Sequence, residues 1–541
     1  MERGLNLLTF LYFLTIAERG VALSTSTATA YKYSVAGHLS FGAPKCEKAQ
    51  KSSGFWANRT YRLCIKDNVL IDPCMGSGHI LVYAFDVLMQ IYESAGYSQR
   101  DAAISILENN LYGLDIDDRA FQMAYFAVMM KARQYYRRIL NGVHRPNLYS
   151  IQESNNLNMS QLKYFGKGMS EAEKKVAISQ LTYLVDTFQD AKEYGSILSV
   201  RECNWKLLER FVSNIEVIGQ INLEAIGTDE TGEKLWQILQ QGECIAKKYS
   251  VTITNPPYLG GRNQNAKLLN YIVKHYEEGK ADLYSVFIIR CNQFTKPNGY
   301  RAMITQHSWM FLSSFEKLRV TEMTNEILNM VHLGPRAFDE IGGEVVQTTA
   351  WVSTNRRIKG YQAIYCRLIN YGSEIEKENA FVAGEKRYLV KQEKYIELPG
   401  LPIAYWFNHP EVFSEGKSLE SVANPRQGLK TLDNDYYLKL WFEVDVTDVC
   451  FDANSLDFAK KSRKKWFPIN HGGDFKQYYG NNCYVVNWEN DGQEMKANAV
   501  RKYNCITRTI TNIAYYFHPG ITWSVLCSEP SFRRYGNGFI L

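Results

Sequence analysis

Several features that define common protein classes are missing from this sequence of 541 residues. Its 11 cysteines include no CxxC pair and are odd in number, which argues against a disulfide framework and favours a reducing, cytoplasmic compartment. Its nine histidines show no HExxH spacing, so no metal site is expected. A net charge of +6 permits a polyanionic partner without requiring one.

Long hydrophobic runs are also scarce. The stretch Leu5–Ala17 is apolar but too short to predict a membrane span. It has the outline of a secretory signal, yet Glu18 and Arg19 follow it directly, and the start of a helix fits equally well. No other stretch could cross a bilayer, so no membrane partner is expected. Residues 1–66 as a whole show weak periodicity and predict no defined fold.

Regular periodicity begins at Asn68, where a strand–turn–helix pattern appears and then repeats. NVLID reads as a short strand, and the helical pattern after it stops at Gly96. LYGLDI reads as a second strand, followed by a helix that runs to about Leu140. This repetition predicts an α/β fold with a doubly wound, Rossmann-like parallel sheet.

Further along the chain the pattern allows a division into domains. Residues 150–245 read as a polar, helical insertion, after which YSVTITN and GYRAMITQ are predicted strands and KADLYSVFIIRCNQF an amphipathic helix. The alternation fades after about Ile364. The predicted domains are a divergent or poorly ordered N-terminal segment, a catalytic α/β domain and a partial α+β recognition region, at residues 1–66, 67–365 and 366–541.

The first motif that carries chemistry is LIDPCMGSGHIL. Asp72 lies at a strand end and Pro73 sets the turn. Gly76, Ser77 and Gly78 let the backbone pass close to a ligand before a helix begins. In a doubly wound sheet this turn lies in the crevice where cofactors bind. Taken alone, a GxG motif favours a tight strand-to-helix turn with no ligand.

The second motif is LYGLDIDDRA. Asp115 falls at the end of the second predicted strand, where a carboxylate can accept hydrogen bonds from both hydroxyls of a ribose. Ile116 beside it can pack on an adenine ring. The alternative role, capping the next helix, fits Asp117 or Asp118 better than Asp115.

The third motif is TITNPPYLGG, which contains two of only 14 prolines. The Asn255 side-chain oxygen and the Pro256 carbonyl can accept hydrogen bonds from an exocyclic amine and withdraw charge as a bond to that nitrogen forms. Pro256 and Pro257 keep the turn rigid, and Tyr258 can stack on a base rotated out of a duplex. Taken alone, a proline turn after a strand explains the motif as well.

The order of these motifs resembles that of adenine-N6-specific DNA methyltransferases, and most closely the PglX type of BREX phage-exclusion systems. The similar blocks are DPCMGSGHILVYAFD, NNLYGLDIDDRA, FQDAKEYGS, TNPPYLG, QHSWMFLSSFEKLR, HLGPRAFDEIGGEVVQTTAWV and YVVNWENDG. They extend over about residues 67–541. The resemblance implies an enzyme that uses S-adenosylmethionine to methylate adenine in double-stranded DNA, with other phage-exclusion proteins as partners and no metal.

The resemblance also assigns roles. The glycine-turn residues Asp72, Pro73 and Gly76–Gly78 would hold the methionine part of the cofactor, Asp115 the ribose, and Asn255–Tyr258 the target adenine. Glu153 would be a polar residue on the cofactor side. The helix in KADLYSVF would line the floor of the pocket, and RQGLKTLDND resembles the opening of a target-recognition region.

The chain departs from that pattern at its beginning, where SSGFWANRTYRLCIKD replaces an aromatic-containing cofactor motif. Because relatives of this type are usually much longer, a fragment with a divergent N-terminus is expected. Two other functions stay open: an NPPY methyltransferase acting on protein glutamine or RNA, and a DNA-binding defence subunit with little activity.

Two further segments have alternative interpretations. AKKSRKKW and the pair Arg533 and Arg534 are candidate DNA-phosphate contacts, or else a solvated charged face. EIGGEVVQTT is a glycine-rich loop near the substrate, or else a plain hairpin turn.

Overall fold

The computed structural model describes residues 65–214, 228–337, 346–409, 411–524 and 531–541. The chain divides into two compact units, with the boundary between Glu415 and Gly416. The predicted secretory-signal outline at residues 5–17 and most of the predicted loop EIGGEVVQTT lie outside the described residues. Within the described ranges, no helix is long and apolar enough to span a membrane.

A nine-stranded sheet forms the centre of the first unit. Its strands are β1 Leu70–Asp72, β2 Leu111–Asp115, β3 Asn147–Ser150, β4 Tyr249–Thr254, β5 Thr295–Gln306, β6 Glu326–Gly334, β7 Thr348–Thr354, β8 Gln362–Arg367 and β9 Arg387–Lys391. Their order across the sheet is β3-β2-β1-β4-β5-β7-β6-β8-β9. Strands β1 to β5 run parallel to one another, whereas β7 is antiparallel to both β5 and β6.

This order creates a switch point between β1 and β4. From β1 the chain moves outward through β2 to β3, then returns to place β4 on the other side of β1. In such sheets the connections leave in opposite directions at the switch point and open a crevice at the carboxyl ends of the strands. The predicted doubly wound, Rossmann-like α/β fold is confirmed.

Helices cover the sheet, and several begin at polar caps. Asp117 caps the helix that follows β2, where its side chain accepts a hydrogen bond from the amide of Arg119, and Asp282 caps another in the same way. The main helices of this unit are α1 His79–Ser94, α2 Gln99–Ser105, α3 Asp118–Tyr135, α4 Glu171–Thr187, α5 Trp205–Ser213, α6 Thr228–Ala246, α7 Ala266–His275, α8 Leu283–Phe294, α9 Glu316–Glu322 and α10 Glu374–Val382.

The longer elements that the structure describes between β3 and β4 are all helices, as the polar pattern predicts. It contains α4, α5 and α6, whose apolar faces join Ile71 of β1 and Leu114 of β2 in one hydrophobic core. A second core lies under α8 and includes Trp309 and Trp351. The cores hold the strand ends rigid, because buried apolar contacts fix both layers against the sheet.

Three details differ from the sequence prediction. Helix α3 ends at Tyr135 instead of about Leu140, because Tyr136 adopts an extended backbone conformation. Helix α8 is buried on nearly all sides and is not amphipathic, since it packs on β4 and β5 and also contacts the short helical turns Glu277–Gly279 and Gly195–Ile197. The predicted domain boundary at residues 365/366 falls inside β8; the sheet continues to β9, and the first unit ends at Glu415.

The second unit is smaller and mixed in structure. A three-stranded antiparallel sheet has the order β10-β12-β11, and β13 pairs with β14. Its core includes Phe467, Trp488 and Tyr516. The bounds are β10 Leu438–Leu440, β11 Trp466–Pro468, β12 Tyr484–Asn487, β13 Gly520–Trp523, β14 Phe532–Tyr535, α11 Leu456–Ser462 and α12 Glu489–Tyr503.

Candidate active site

Asp72 lies at the bottom of the crevice, as the last residue of β1, and is fully buried. Its Oδ1 atom accepts hydrogen bonds from the amide of Cys74 at 3.0 Å and from the hydroxyl of Thr254 at 2.7 Å. Its Oδ2 atom is buried and has no hydrogen-bond partner among the residues that the structure describes. A buried polar atom without a partner is rare in folded proteins and calls for a ligand or another explanation.

Burial also gives Asp72 an unusual charge state. Burial raises the pKa of its carboxyl to about 7, and the nearby Asp115 carboxylate raises it further, while the bonds from Thr254 and Cys74 oppose the rise. Near neutral pH the group therefore exists in both protonation states. A cation placed next to Oδ2 would stabilise the ionised form.

The two glycines of the turn have different functions. Gly76 has a φ of 52°, and a Cβ atom built on it would meet nothing within 4 Å, so the space beside its backbone is open. Gly78 has a φ of 84°, and a Cβ there would lie 2.9 Å from Ala124. Gly78 thus permits close packing of α1 on α3, while Gly76 leaves room in the crevice. Ser77 lies between them, and the carbonyl of Pro73 accepts a 2.6 Å bond from the buried Ser196 hydroxyl.

Asp115 ends β2 and points its carboxylate at the same turn. Its Oδ2 accepts from the amide of Gly76 at 2.9 Å, and its Oδ1 accepts from the amide of Asp117 at 2.9 Å. Each carboxylate oxygen can accept more than one hydrogen bond, so acceptor capacity for a hydroxyl group remains. Ile116 next to it is 51% exposed, which leaves an apolar surface at the crevice rim. Asp117, and not Asp115, caps α3, as the sequence indicates.

The NPPY turn follows β4 directly. Asn255 is exposed, Pro256 is buried, and Tyr258 is partly buried, with its ring against the Tyr284 ring at a centroid distance of 5.8 Å. Burial raises the pKa of Tyr258 well above its usual range, and the carboxylate of Asp282 adds to this effect, so the phenol is neutral. Its hydroxyl is 3.5 Å from the Asn255 Oδ1 atom, a weak contact at most.

A short ladder holds the chain after this turn. The amide of Leu259 donates to the Asp282 carboxylate at 2.9 Å, and the Leu259 carbonyl accepts from the amide of Leu283 at 3.0 Å. The amide of Gly261 donates to the carbonyl of Ala281 at 3.0 Å. These bonds join the end of the NPPY turn to the start of α8, so the turn is fixed at both ends.

The two turns lie side by side. Strands β1 and β4 pair in parallel, with Leu70 opposite Val251 and Ile71 opposite Thr252. Their carboxyl ends therefore reach the same edge of the sheet, and the Thr254–Asp72 hydrogen bond joins them at that edge. The structure thus brings the glycine turn, Asp115 and Asn255 to one crevice.

Three residues of this crevice lie in stretches with a recognisable sequence pattern, but their contacts have no signal in the sequence: Thr254, Ser196 and Asp282. Thr254 and Ser196 are ordinary hydroxyl residues, and they contact the glycine turn from 182 and 123 positions away. Ser196 lies in the block FQDAKEYGS, which marks the segment but not the contact. Asp282 could have been predicted as a helix cap, but its second bond, to Leu259, follows only from the fold.

The basic candidates separate into buried and exposed groups. Arg533 is 2% exposed, so it is not available as a phosphate contact, because alternate residues of β14 face inward; Arg534 is exposed. Lys460 and Lys461, in the last turn of α11, are also exposed.

Glu153 accepts a hydrogen bond from the amide of Lys192 and is thus engaged in local structure. No group of side chains in the described ranges could hold a metal ion.

Comparison with known proteins finds similarity to restriction–modification methylases. Residues 109–338 match the model of the Eco57I restriction-modification methylase family. The adenine-specific methyltransferase PglX of Lacticaseibacillus casei (strain Zhang) is 37% identical over 489 residues, which are 88% of this chain and 40% of the relative. The adenine-specific methyltransferase BrxX of Escherichia coli O9:H4 (strain HS) is 36% identical over 86% of this chain and 39% of the relative.

Solved structures align more distantly. The type IIL restriction-modification enzyme MmeI, solved in complex with DNA, is 12% identical with a TM-score of 0.45, and the alignment covers 90% of this chain and 57% of that chain. So loose an alignment says nothing about function. The sequence relatives do confirm the resemblance to PglX-type adenine-specific methyltransferases, and the chain spans about 40% of their length.

Proposed function

We propose that this chain, as a PglX-like protein, carries the catalytic region of an enzyme that transfers a methyl group from S-adenosylmethionine to the N6 atom of adenine in DNA. The mark would label host DNA in a phage-exclusion or restriction-modification type of system. The names of PglX and BrxX support the reaction and the base. The chain covers about 40% of the length of those relatives, so the activity of the full-length proteins is a proposal for this chain.

One observation carries this proposal: the hydrogen bond of 2.7 Å between Thr254 and Asp72. It joins the end of the strand that leads into Asn255 to the end of the strand that leads into the glycine turn. A methyl transfer needs donor and acceptor in one site, at near-contact distance. A shared crevice for the two motifs meets this requirement.

The residues around the glycine turn fit S-adenosylmethionine. The buried Oδ2 of Asp72 lacks a partner and suits the ammonium of the methionine part. The backbone at Gly76 borders open space, and the Asp115 carboxylate beside it suits the ribose hydroxyls. Ile116 presents an exposed apolar surface of the kind that packs on an adenine ring.

The NPPY turn fits an exocyclic amine. When bound, S-adenosylmethionine supplies an electrophilic methyl group on a sulfonium. The Asn255 side-chain oxygen and the Pro256 carbonyl accept hydrogen bonds from the two N6 hydrogens, so they stabilise positive charge that develops on the nitrogen. As the new C–N bond forms, the C–S bond breaks, and one N6 proton leaves to solvent. The ring of Tyr258 stacks on the extruded base. No covalent intermediate on the protein is required.

The test is transfer of a labelled methyl group from S-adenosylmethionine to three acceptors: double-stranded DNA, RNA, and a protein with exposed glutamines. We expect label in DNA, at adenine N6 after enzymatic digestion, and its loss in Asn255→Ala. Label in RNA or glutamine instead would contradict the proposed substrate. DNA binding without cofactor binding would favour a DNA-binding subunit with little activity.

A further inference from the structure

The contact between β1 and β4 at the crevice depends on a side chain. The two strands are in register at Leu70 with Val251 and at Ile71 with Thr252, and no further pair follows toward the crevice. Beyond that point the hydroxyl of Thr254 donates to Asp72 Oδ1 at 2.7 Å, with both side chains fully buried. A buried hydrogen bond to a carboxylate is strong and directional, so it fixes the orientation of the Asp72 carboxyl.

In the described part of the chain, none of the groups that influence the charge of this carboxyl is positive. The groups that influence its charge are Thr254 on β4, Cys74 in the turn and Asp115 at the end of β2. Cys291 on α8 also faces it. None of these is a cation, and Asp115 is an anion. An ionised Asp72 therefore lacks a countercharge among these neighbours, and its Oδ2 atom has no donor.

We propose that Thr254 is a positioning residue for the cofactor: its hydroxyl turns Asp72 Oδ2 toward the ammonium of S-adenosylmethionine and stabilises the ionised carboxyl that this contact needs. The inference rests on the proposed function, since it takes the glycine turn as the cofactor site. It gives a role to Thr254, which lies in the motif TITNPPYLGG but has no function assigned by it, and it adds a consequence for binding: seating the ammonium drives a proton off Asp72.

The direction of the pH effect follows from the free protein. Burial raises the pKa of Asp72 to about 7, so below that pH the carboxyl is mostly protonated and cannot pair with a cation. Cofactor affinity must then rise as the pH increases toward about 7, and fall again once the cofactor amine loses its proton, at about pH 8 for an ordinary α-amino group. Removing the Thr254 donor destabilises only the ionised form, so it moves the midpoint of this rise to higher pH. A residue that merely filled space would leave the midpoint unchanged.

The experiment is calorimetry of S-adenosylmethionine binding to the full chain between pH 6 and 8.5, in buffers of different ionisation enthalpy. Thr254→Val keeps the shape but lacks the donor, and it should weaken binding at pH 7 about tenfold, as expected for a lost hydrogen bond to a charged group. It should also raise the pH midpoint. Thr254→Ser restores the donor and should restore both values. Asp72→Asn should abolish proton release from the protein and leave only the titration of the cofactor amine.

Three results would count against the inference. Thr254→Val with the wild-type dissociation constant and midpoint would overturn it, as would equal impairment of Thr254→Val and Thr254→Ser. If Thr254→Val does not fold by circular dichroism, Asp72→Asn decides: a wild-type pH profile in Asp72→Asn overturns the proposal, and a flattened one supports it. Failure of the wild-type chain to bind the cofactor at all would instead contradict the proposed function.

Discussion

At the scale of single residues, loss of the Asn255 side chain should affect methyl transfer but not cofactor binding. Asn255 is exposed at the crevice, and its side chain has no strong intramolecular bond that its loss would break. Asn255→Ala should lower methylation of DNA by at least about a hundredfold, as loss of a group that stabilises transition-state charge does. The dissociation constant of Asn255→Ala for S-adenosylmethionine should stay within about twofold of the wild-type value, since the cofactor site is built from other residues.

A suitable control is Asn141→Ala, because Asn141 is exposed in the loop between α3 and β3, at the opposite edge of the sheet. It should behave like the wild type in both labelled-methyl and calorimetric assays. Full turnover by Asn255→Ala on DNA would exclude its assigned role.

Asp115 should show the reciprocal behaviour. Asp115→Ala removes the acceptor for the Gly76 amide and for a ribose hydroxyl, so cofactor affinity should fall about tenfold or more. At saturating cofactor, turnover should recover most of its wild-type value. Calorimetry and initial rates at several cofactor concentrations measure this; a low rate that no cofactor concentration restores would contradict a binding role.

Asp72 should affect stability as well as binding. Its pKa is about 7 when folded and near 4 in an unfolded chain, so between these values the unfolded state loses a proton that the folded state keeps. The folded chain is therefore destabilised as pH rises from about 4 to 7, by about 4 kcal/mol at most for three pKa units. Above pH 7 the cost is constant.

Asp72→Asn removes that cost, because an amide oxygen can still accept from Thr254 and Cys74. Without cofactor, the variant should therefore be more stable than the wild type by about 4 kcal/mol above pH 7 and by about 1.5 kcal/mol at pH 5, with little gain at pH 4 and below. Urea unfolding at pH 5 and pH 8 measures the difference. An equal effect at both pH values would show that Asp72 does not titrate in this range.

At the scale of elements, the turn glycines connect the crevice to the helices behind it. Gly78→Ala would place a Cβ atom 2.9 Å from Ala124 at a φ of 84°, so α1 must shift from α3. Overpacking and backbone strain together should cost about 2–4 kcal/mol. Gly76→Ala has open space at a φ of 52° and should cost about 1–2 kcal/mol from strain alone.

Chemical denaturation of the two variants measures the contrast, with each serving as the control of the other. Cofactor affinity should show the opposite order: Gly76→Ala should weaken binding more than Gly78→Ala, because Gly76 borders the open crevice and Gly78 does not. If the two substitutions destabilise the chain equally, contact between α1 and α3 at this point is not the reason for the glycine.

The elements nearest the motifs could be predicted from the sequence, and those further away could not. Strands β1 and β2 end in Asp72 and Asp115, and Asn255 directly follows β4, so polar residues mark these strand ends in the sequence. Strand β9 is a short edge strand, RYLVK, with charged residues at both ends and one buried side chain, so it carries almost no periodic signal. The predicted domain boundary was therefore too early.

The site itself could be predicted only as separate motifs. Asp72, Asp115 and Asn255 each carry a recognisable spacing, but their common crevice depends on the strand order, which places β4 next to β1. The bond between Thr254 and Asp72 joins residues 182 positions apart. The Thr254 hydroxyl lies within a motif, but its partner cannot be read from the sequence, because its function comes from what the fold puts beside it.

At the scale of the whole molecule, the basic side chains of the run AKKSRKKW in the second unit form two groups, which differ in their exposure and contacts. The Nζ atom of Lys464 donates to the carbonyl of Thr447, and the Nζ atom of Lys465 lies over the Trp466 ring at 5.6 Å. Lys460, Lys461 and Arg463 are exposed. The exposed group is available to a polyanion, and the other group mainly supports local structure.

The double variant Lys460→Ala/Lys461→Ala should therefore weaken binding to DNA of any sequence, because lysines that contact phosphates position DNA without reading it. If each neutralises one phosphate, the slope of log affinity against log salt should become shallower by about two, at roughly 0.9 for each contact. Fluorescence anisotropy over a salt series measures this slope. The control Lys175→Ala/Lys359→Ala removes the same charge from exposed positions of the first unit, on α4 and in the loop between β7 and β8. An identical slope change in both double variants would reflect net charge alone, and the run on α11 would then be a solvated face.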